Sequence, residues 1–213
     1  MTENIRAYAA ASATEKLVPH RIDRRTPRND DVTIEILYCG VCHSDLHTAR
    51  NDWGGTIYPI VPGHEIIGRV TSVGSAVSRF KIGDHVGVGC IVDSCGHCPA
   101  CEQGYEQHCP ESIYTYGITD PRDGTITQGG YSEKIVVHDE FVLRIPDGLD
   151  LKGAAPLLCA GITTWSPLKT FNAGPGSKVA VVGLGGLGHM ALKLANALGA
   201  EVTLFTRSPG KEA

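Results

Sequence analysis

The sequence predicts a β-rich domain that is followed by the beginning of an α/β domain. Up to about residue 150, short runs of β-branched and apolar residues alternate with turns rich in Gly, Pro and Asp. From residue 177 the pattern becomes an apolar strand, a glycine-rich turn, a helical stretch and a second strand. That order is one βαβ unit. We therefore expect a domain at 1–150, a helical connector at 151–175 and an incomplete α/β domain at 176–213.

The predicted strands of the first domain lie at 32–37, 66–73 and 134–138, where Val, Ile and Thr dominate. Turns at 62–63, 82–84 and 146–148 separate such runs. Short strands broken by frequent turns are typical of an irregular, mostly antiparallel sheet, and the sequence shows no internal repeat.

The second domain is predicted as a strand at 177–182, a helix at 189–198 that ends at Gly199, and a strand at 201–206. A dinucleotide-binding sheet has several parallel strands covered by helices on both faces. One βαβ unit leaves most of those apolar faces uncovered. We therefore expect this chain to be a partial form of a longer protein, or to receive the missing cover from a partner.

Composition narrows the possible functions. The chain has 213 residues, 42% hydrophobic and 20% charged, with a formal net charge of −4. This charge gives no support to nucleic acid or an anionic membrane as a partner. No apolar run reaches the length of a membrane span and the first residues lack a signal-peptide core, so we expect a cytoplasmic protein. In that reducing compartment, eight cysteines favour metal or catalytic roles over disulfides.

Four cysteines lie within one short segment, CGHCPACEQGYEQHC, at positions Cys95, Cys98, Cys101 and Cys109. Four thiolates surround one Zn²⁺ tetrahedrally at about 2.3 Å and leave no position for a substrate, which is a structural zinc site. The alternative is a loop with four reduced thiols. His97 and His108 are possible substitute ligands, although we expect both to be solvated.

Cys42, His64 and Cys159 lie far apart in the sequence and form a second set of metal-type ligands. Two thiolates and one imidazole hold Zn²⁺ with a net charge near zero and leave one position open for a substrate oxygen, as in the Cys₂His catalytic type. Packing or hydrogen bonding is the alternative role of a histidine beside a glycine. Spacing alone does not decide between the two.

The segment Cys39-Gly-Val-Cys42-His43 also fits the C-x-x-C-H pattern of haem attachment. The missing export signal and the scarcity of methionine, only Met1 and Met190, argue against haem. A thioredoxin-like redox pair is a further alternative, but the surrounding βαβ context is absent. We expect Cys39 and Cys90 to be core thiols.

The glycine-rich turn has the G-x-G-x-x-G pattern between a predicted strand and a predicted helix. Gly183 allows the tight turn, Gly185 lets the backbone approach a pyrophosphate, and Gly188 lets the helix pack closely on the strand. Gly186 and Leu187 belong to the same phosphate-binding turn, and the diphosphate would lie at the helix N-terminus.

An acidic residue normally follows the next strand in an NAD site, because it accepts from the ribose 2′-OH. Here the positions are occupied by Thr206, Arg207 and Ser208, with Lys211 beyond. Hydroxyl and cationic groups favour a 2′-phosphate, so the sequence predicts NADP(H) over NAD(H). The alternative is an exposed polar loop without a ligand.

Taken together, these residues resemble a known family, the zinc-dependent medium-chain alcohol dehydrogenases, and most closely its cinnamyl-alcohol-dehydrogenase-like NADPH-dependent aldehyde reductases. The resemblance extends over nearly the whole chain. It is carried by the four-cysteine loop and by CGVCHSDLH at 39–47, YPIVPGHEIIGRVTSVGSAV at 58–77, QGGYSEKIVVH at 128–138, PLLCAGITTWSPL at 156–168 and VVGLGGLGHMALKLANALGAEVT at 181–203.

The resemblance implies a β-rich GroES-like catalytic domain followed by the start of a Rossmann domain, with the active site in the cleft between them. It implies that Cys42, His64 and Cys159 are the ligands of a catalytic zinc. Glu65 resembles the acidic neighbour that approaches this metal when the substrate position is empty, and a hydrogen bond to a ligand is its alternative role. The four-cysteine loop corresponds to the structural zinc site.

Further roles come from the resemblance alone. Asp45 resembles the carboxylate that holds the ligand histidine in its tautomer. Ser44 resembles the hydroxyl that contacts the zinc-bound oxygen, and His47 the outer end of a proton relay through the cofactor ribose. His43 resembles a residue facing the cofactor pyrophosphate. Thr163 and Trp53 resemble, in that order, a residue beside the nicotinamide and one lining the substrate pocket.

The predicted function is hydride transfer between NADP(H) and a primary alcohol or aldehyde, with aldehyde reduction as the expected direction and two zinc ions as cofactors. A non-catalytic, zinc-stabilised binding module is the alternative. We expect little turnover from residues 1–213 alone, and a homodimer only where the complete cofactor domain is present.

Overall fold

A computed structural model describes residues 4–208 and 210 of the chain. The chain divides into two compact units, Met1–Leu158 and Cys159–Ala213. Their boundary lies inside the segment 151–175 that the sequence predicts as a connector. Across the described residues, no helix combines the length and the apolar character needed to cross a membrane.

The first unit consists mainly of strands, with short helices in the connections. Its strands are β1 Asn4–Ala9, β2 Val18–Asp23, β3 Asp31–Cys39, β4 Ile66–Val73, β5 His85–Val88, β6 Ile91–Asp93, β7 Ile113–Tyr114, β8 Lys134–His138 and β9 Leu143–Arg144. Its α-helices are α1 His43–Ala49, α2 Pro99–Glu102 and α3 Leu151–Ala154, and its 3₁₀ turns are Glu106–His108, Asp139–Phe141 and Ala155–Leu158.

Five strands form the central sheet in the order β8-β3-β4-β5-β9, and each neighbouring pair is antiparallel. The pairs β1-β2 and β6-β7 are also antiparallel. The prediction of a mostly antiparallel β domain is therefore confirmed. Strand β3 extends beyond the predicted 32–37 and pairs with both β4 and β8, so that its last residue, Cys39, leads directly to the segment before α1.

The main hydrophobic core lies on one face of this sheet. Strand β8 shows the alternation expected of a half-buried strand, because Ile135 and Val137 are buried while the residues between them are partly exposed. These side chains pack with Ile34, Ile66 and Val86, which are fully buried. Each such aliphatic side chain contributes about 1.5–3 kcal/mol. The core thereby fixes β3 and β4, the two strands that lead into and out of the functional residues.

The second unit contains α4 Ala160–Thr170, β10 Lys178–Val182, α5 Gly186–Ala197 and β11 Glu201–Phe205. Strands β10 and β11 are parallel neighbours, with Lys178 opposite Glu201. Helix α5 connects them, so the predicted βαβ unit is confirmed. Gly199 follows α5 with a φ of 87°, the left-handed conformation typical of a residue just beyond a helix end.

Helix α5 begins three residues earlier than the predicted 189–198. Gly186, Leu187 and Gly188 adopt helical geometry and form its first turn, with Gly185 as the preceding cap residue. The sequence predicts these residues as a phosphate-binding turn that precedes the helix, and glycine has a low helix propensity. Close packing of α5 on β10 outweighs that propensity, since a Cβ at Gly188 would lie only 2.0 Å from the carbonyl oxygen of Gly183.

Candidate functional site

The N-terminus of helix α1 carries three of the predicted functional residues, Cys42, Ser44 and Asp45. Cys42 is its N-cap residue, in an extended conformation, and its backbone N–H donates to the Asp45 carboxylate at 2.9 Å. Asp45 thus caps the helix from within the first turn, as acidic residues commonly do. The cap holds the Cys42 thiol at the start of the helix, next to Ser44, with the Cys42 Sγ and Ser44 Oγ atoms 3.6 Å apart.

Asp45 is buried, and several donors surround its carboxylate. Besides the Cys42 amide, Oδ2 accepts from the Tyr131 hydroxyl at 3.0 Å. Oδ1 accepts from the Gly63 N–H at 2.9 Å and lies 3.1 Å from His64 Nδ1. Because a carboxylate is a stronger acceptor than a hydroxyl, the Nδ1 proton of His64 is directed at Asp45. The Nε2 lone pair is then the ligand atom of that imidazole.

These hydrogen bonds set the protonation states. Burial by itself raises the pKa of Asp45, but hydrogen bonds from His64 and the Cys42 amide outweigh burial and lower the pKa below its usual value. Burial, together with the charge of Asp45, raises the pKa of Tyr116 and of Tyr131 far above the ordinary tyrosine value. Asp45 is therefore ionised near neutral pH, and both phenols keep their protons and remain donors.

Glu65 lies against the backbone that leads into α1. Gly40 donates its N–H to the Glu65 carbonyl oxygen at 2.9 Å. A Cβ at position 40 would lie 2.0 Å from Glu65 Oε2, so only glycine leaves room for this carboxylate. Both His64 and Glu65 are buried. The side chain of Glu65 is thus held beside the ligand-type residues by a close backbone approach.

Cys159 completes this group. It is bonded directly to Leu158, which is the last residue of the first unit and is buried with Ile67, Ala154 and Ala155. One ligand atom each from Cys42, His64, Glu65 and Cys159 lies within 4.8 Å of the other three. We call these four residues the mixed cluster. Two thiols, one imidazole and one carboxylate form a donor set that fits zinc.

His47 lies one turn beyond His43 on α1. Its Nδ1 is 2.8 Å from Oδ2 of Asp52, and its ring stands 5.1 Å from that of Trp53 and 6.0 Å from that of His43. The Asp52 carboxylate directs the Nδ1 proton of His47 toward itself, and Nε2 becomes the acceptor. Sequence reasoning did not single out Asp52. Its spacing of five residues from His47 resembles no motif, and only the turn after α1 brings the two together.

The remaining predicted residues near these segments are exposed. Trp53 is 66% exposed, and His43 also lies at the surface. Thr163 lies in the first turn of α4, where its N–H donates to the carbonyl oxygen of Cys159 at 3.0 Å. The roles that the resemblance implies for these three residues stay predictions.

The four-cysteine loop also gathers its thiols. The Sγ distances are 3.9 Å for Cys95–Cys101, 3.5 Å for Cys98–Cys101 and 3.5 Å for Cys95–Cys109. A zinc ion with four sulfur ligands at about 2.3 Å has S–S edges of about 3.8 Å, so the loop fits the ion. A hydrogen bond with Ser94 lowers the pKa of Cys101 to about 7, which favours the thiolate. We call these four residues the four-cysteine cluster.

Charged residues anchor this loop to the first unit. Asp93, two residues before Cys95, is buried and bonded to Arg122. Arg122 also contacts Asp120 at 3.1 Å, and Arg28 reaches Asp120 at 3.1 Å. Burial raises the pKa of Asp120, but the backbone N–H and the guanidinium of Arg122 outweigh it and lower the pKa. His97 and His108 are exposed and do not belong to the four-cysteine cluster, although His97 lies close to Cys95 and Glu111 in a separate group of ligand-type residues.

The two other cysteines differ from one another. Cys39 is half-buried against the main core, and burial raises the pKa of its thiol to about 12. Cys90 is exposed, so its prediction as a core thiol was wrong. Cys90 follows the end of β5, where the chain leaves the sheet, and its side chain no longer points into the core.

The glycine turn of the second unit offers an open backbone surface. Gly183 has a φ of 91°, which favours glycine, and no atom lies within 4 Å of a Cβ built at Gly185 or Gly186. Backbone N–H groups at the start of α5 therefore face space that a phosphate can fill. Thr206 and Arg207 are exposed directly after β11, and Ser208 donates its N–H to Thr206 Oγ1 at 3.2 Å. Lys211 lies outside the described residues.

Comparisons with known proteins identify the family of this chain. The model of the alcohol dehydrogenase GroES-like domain family matches residues 28–147. NADP-dependent alcohol dehydrogenase C 1 of Mycolicibacterium smegmatis is 58% identical over 206 residues, which is 96% of this chain and 59% of that protein. Aldehyde reductase YahK of Escherichia coli is 57% identical, over 97% of this chain and 60% of its own length.

Among solved structures, CAD from Helicobacter pylori, complexed with NADP(H), superposes with a TM-score of 0.96 at 47% identity. It covers 99% of this chain, and the match takes up 61% of that protein. The predicted GroES-like fold and family resemblance are confirmed. The chain spans about three fifths of the length of these relatives.

Proposed function

Because the chain belongs to the alcohol dehydrogenase GroES-like domain family, we propose that its protein is a zinc-dependent oxidoreductase that transfers hydride between NADP(H) and a primary alcohol or aldehyde. Reduction of an aldehyde is the proposed direction. The single observation that carries this proposal is the mixed cluster, in which ligand atoms from three remote segments lie within 4.8 Å of one another. Similarity to an aldehyde reductase and to NADP-dependent alcohol dehydrogenases supports the substrate class and the cofactor.

We assign the catalytic zinc to Cys42, His64 and Cys159, with Glu65 beside them, and the structural zinc to the four-cysteine cluster. When bound at the mixed cluster, zinc stabilises the negative charge on an alcohol oxygen or polarises a carbonyl near neutral pH. Glu65 is the residue that would fill the ligand position left by a departing substrate. The matching donor sets and the S–S distances support this assignment.

The chain's own residues would then handle one proton for each hydride transferred. Ser44, whose hydroxyl lies 3.6 Å from Cys42 Sγ, is assigned the hydrogen bond to the substrate oxygen. His47 is the proposed outer end of the relay, because Asp52 holds its Nδ1 and leaves Nε2 to take or return a proton. Asp45 keeps His64 in the tautomer that metal binding needs.

The cofactor assignment rests on the glycine turn and on the residues after β11. The diphosphate would lie at the N-terminus of α5, where Gly183, Gly185 and Gly186 allow close backbone approach, Gly188 lets the helix pack against Gly183, and Leu187 continues the turn. An exposed Arg207 flanked by hydroxyl residues Thr206 and Ser208, in place of a carboxylate, favours a 2′-phosphate and hence NADP(H). His43, Thr163 and Lys211 are proposed as further cofactor contacts and Trp53 as part of the substrate pocket.

Small molecules are the proposed partners, since a net charge of −4 favours neither nucleic acid nor an anionic membrane. The eight cysteines, all among the described residues, form no disulfide with one another, which is consistent with a reducing compartment, and we assign the protein to the cytoplasm. A homodimer is proposed only for a protein with the complete cofactor domain.

Metal analysis combined with an activity assay tests the proposal. The full-length protein should contain about two zinc ions per chain and should oxidise NADPH when a panel of aldehydes is added. A value of one zinc per chain without NADPH oxidation would instead support the non-catalytic binding module. Adding the chelator before or after the aldehyde shows whether low activity results from slow loss of the metal or from a protein without activity.

A further inference from the structure

Tyr131 is a half-buried residue to which neither the sequence nor the family resemblance gave a role. Its hydroxyl donates to Asp45 Oδ2 at 3.0 Å. Its next acceptor, the carbonyl oxygen of Gly40, lies at 3.5 Å, the outer limit of a hydrogen bond. The strong bond of this phenol is therefore the one to the carboxylate that faces His64.

The ring of Tyr131 is packed against the segment that carries His64. A Cβ at Gly63 would lie 2.8 Å from Tyr131 Cδ1, so the ring touches the backbone just before the histidine. The backbone N–H of Tyr131 donates to the Pro62 carbonyl oxygen at 3.0 Å, and the N–H of Gly130 donates to that of Gly63 at 2.8 Å. These bonds join the tyrosine and the histidine segment side by side.

Arg24 is hydrogen-bonded to the segment that carries Tyr131. Its guanidinium donates to the carbonyl oxygens of Gly129 and Lys134, each at 2.8 Å, and to Ser132 Oγ at 2.6 Å. A guanidinium that bonds carbonyl oxygens on either side of Tyr131 restrains the segment on both flanks. The backbone that carries the tyrosine is thereby restrained independently of Asp45.

Asp45 needs such a restraint because its two oxygens have different tasks. Oδ2 caps α1 through the Cys42 amide, and Oδ1 bonds Gly63 and His64. A second donor on Oδ2 fixes the rotation of the carboxyl plane, and that rotation decides whether Oδ1 points at His64 Nδ1. Tyr116, whose hydroxyl lies 3.3 Å from the same Nδ1, is the competing contact when the carboxylate turns away.

We propose that Tyr131 is a positioning residue that acts through Asp45 to hold His64 in the orientation required for metal binding at the mixed cluster. The inference rests on the proposed function, because it presumes that this cluster binds a metal. The Tyr131 hydroxyl contacts Asp45 and Gly40, and neither of these belongs to the mixed cluster. Its loss should therefore change the metal site without removing any ligand.

The test compares Tyr131→Phe with Tyr58→Phe in the full-length protein loaded with ¹¹³Cd²⁺. The control phenol donates to the Ala49 carbonyl oxygen of α1 at 2.8 Å, which is a hydrogen bond of similar length on the same helix. Phenylalanine keeps the ring packing in both variants. A Cys₂His site and a four-sulfur site give separate ¹¹³Cd resonances, and His64→Ala identifies the resonance of the mixed cluster.

In Tyr131→Phe we expect the resonance of the mixed cluster to shift and its Cd²⁺ affinity to fall about tenfold, near the lower end of the range for outer hydrogen-bond partners. The four-cysteine cluster and the Tyr58→Phe protein should be unchanged. Equal affinity and an unshifted resonance in Tyr131→Phe would overturn the inference. Equal weakening of both clusters would also overturn it, because general destabilisation would then be the cause.

A double-mutant cycle tests the route through Asp45. In the Asp45→Ala background, Tyr131→Phe should have no further effect on Cd²⁺ affinity, and additive losses would refute an action through the carboxylate. Failure of the proposed function has a different signature. The wild-type protein would then bind one Cd²⁺ per chain, and His64→Ala would remove no resonance.

Discussion

The two metal-ligand clusters differ in how the chain builds them. The four-cysteine cluster takes all of its thiols from residues 95–109, within one loop that includes the short helix α2. The mixed cluster takes its ligands from residues 42, 64, 65 and 159. These positions are the N-cap of α1, the two residues just before β4, and the residue that follows Leu158.

This difference has consequences for stability. Bringing together ligands from one short loop loses little chain entropy. The geometry of the four-cysteine cluster therefore depends mainly on the metal and on a few anchors such as Asp93. The mixed cluster depends on buried polar contacts, chiefly those of Asp45, that exist only once the sheet has folded. Loss of a ligand from the four-cysteine cluster should therefore lower the free energy of unfolding. Loss of a ligand from the mixed cluster should change metal selectivity and enzyme activity.

The largest effect is expected for His64→Ala, which removes a ligand from the mixed cluster. Zinc content should fall from about two to about one per chain, and NADPH-dependent aldehyde reduction should fall at least about a thousandfold, because a bound metal supplies several kcal/mol of transition-state stabilisation. His85→Ala, an exposed histidine on β5, is the matched control. Retained zinc and activity in His64→Ala would show that this cluster is not the metal site of the enzyme.

The reciprocal change is Cys98→Ser in the four-cysteine cluster. We expect loss of the other zinc and a fall of about 10 °C in the melting midpoint, since a structural zinc contributes several kcal/mol of folding free energy. Differential scanning calorimetry with zinc analysis measures both. His108→Ala, an exposed histidine of the same loop, should change neither. An unaltered melting midpoint in Cys98→Ser would abolish the contrast between the two clusters.

Asp120→Asn tests the group of charged residues that anchors the four-cysteine loop to the first unit. Removing the charge of a buried carboxylate that the partly exposed Arg122 and Arg28 contact should cost about 1–2 kcal/mol at pH 7. Because the folded pKa of Asp120 is lowered, its contribution is complete above the unfolded pKa and is lost as the pH falls through the folded pKa. The stability difference between wild type and variant should therefore shrink below about pH 4. A constant difference from pH 7 to pH 2 in urea unfolding would contradict this account.

Gly40→Ala should disturb the mixed cluster without touching a ligand's identity. The new Cβ would meet Glu65 Oε2 at 2.0 Å, so the carboxylate must move, at a cost of about 2 kcal/mol. We expect zinc binding to become weaker at the mixed cluster and to stay unchanged at the four-cysteine cluster. Chelator competition measures both. Gly174→Ala, where the nearest atom is 3.6 Å away, is the tolerated control. Identical zinc release in both variants would argue against a close approach at Gly40.

The smallest expected effect lies outside both clusters. Arg207→Asp places a carboxylate after β11, where it would repel a 2′-phosphate and accept from a ribose 2′-OH. The ratio of NADPH to NADH affinity should fall about tenfold or more, with zinc content unchanged. Arg50→Asp, an exposed arginine at the end of α1, controls for net charge. Equal affinity for both cofactors in the wild-type protein would remove the basis for assigning NADP(H).

Much of the fold follows from local patterns in the sequence. The strand at 66–73 and the strand at 134–138 were predicted with their observed bounds, because β-branched runs between turn residues leave little choice. The start of α5 was missed, since helix packing at Gly188 overrides the low propensity of glycine. Cys90 was assigned to the core because thiols are usually buried, yet it follows the strand end and lies at the surface.

The sequence by itself determined the family, the strands at 66–73 and 134–138, the βαβ unit and the spacing of the four-cysteine loop, because each is carried by runs of residues that are neighbours along the chain. Only the tertiary structure decided which groups meet around Asp45. Tyr131, Tyr116 and Gly63 reach that carboxylate from segments 18 to 86 residues away. No periodicity encodes such contacts, since they arise when the sheet brings distant backbone segments together and burial forces each polar group to find a partner.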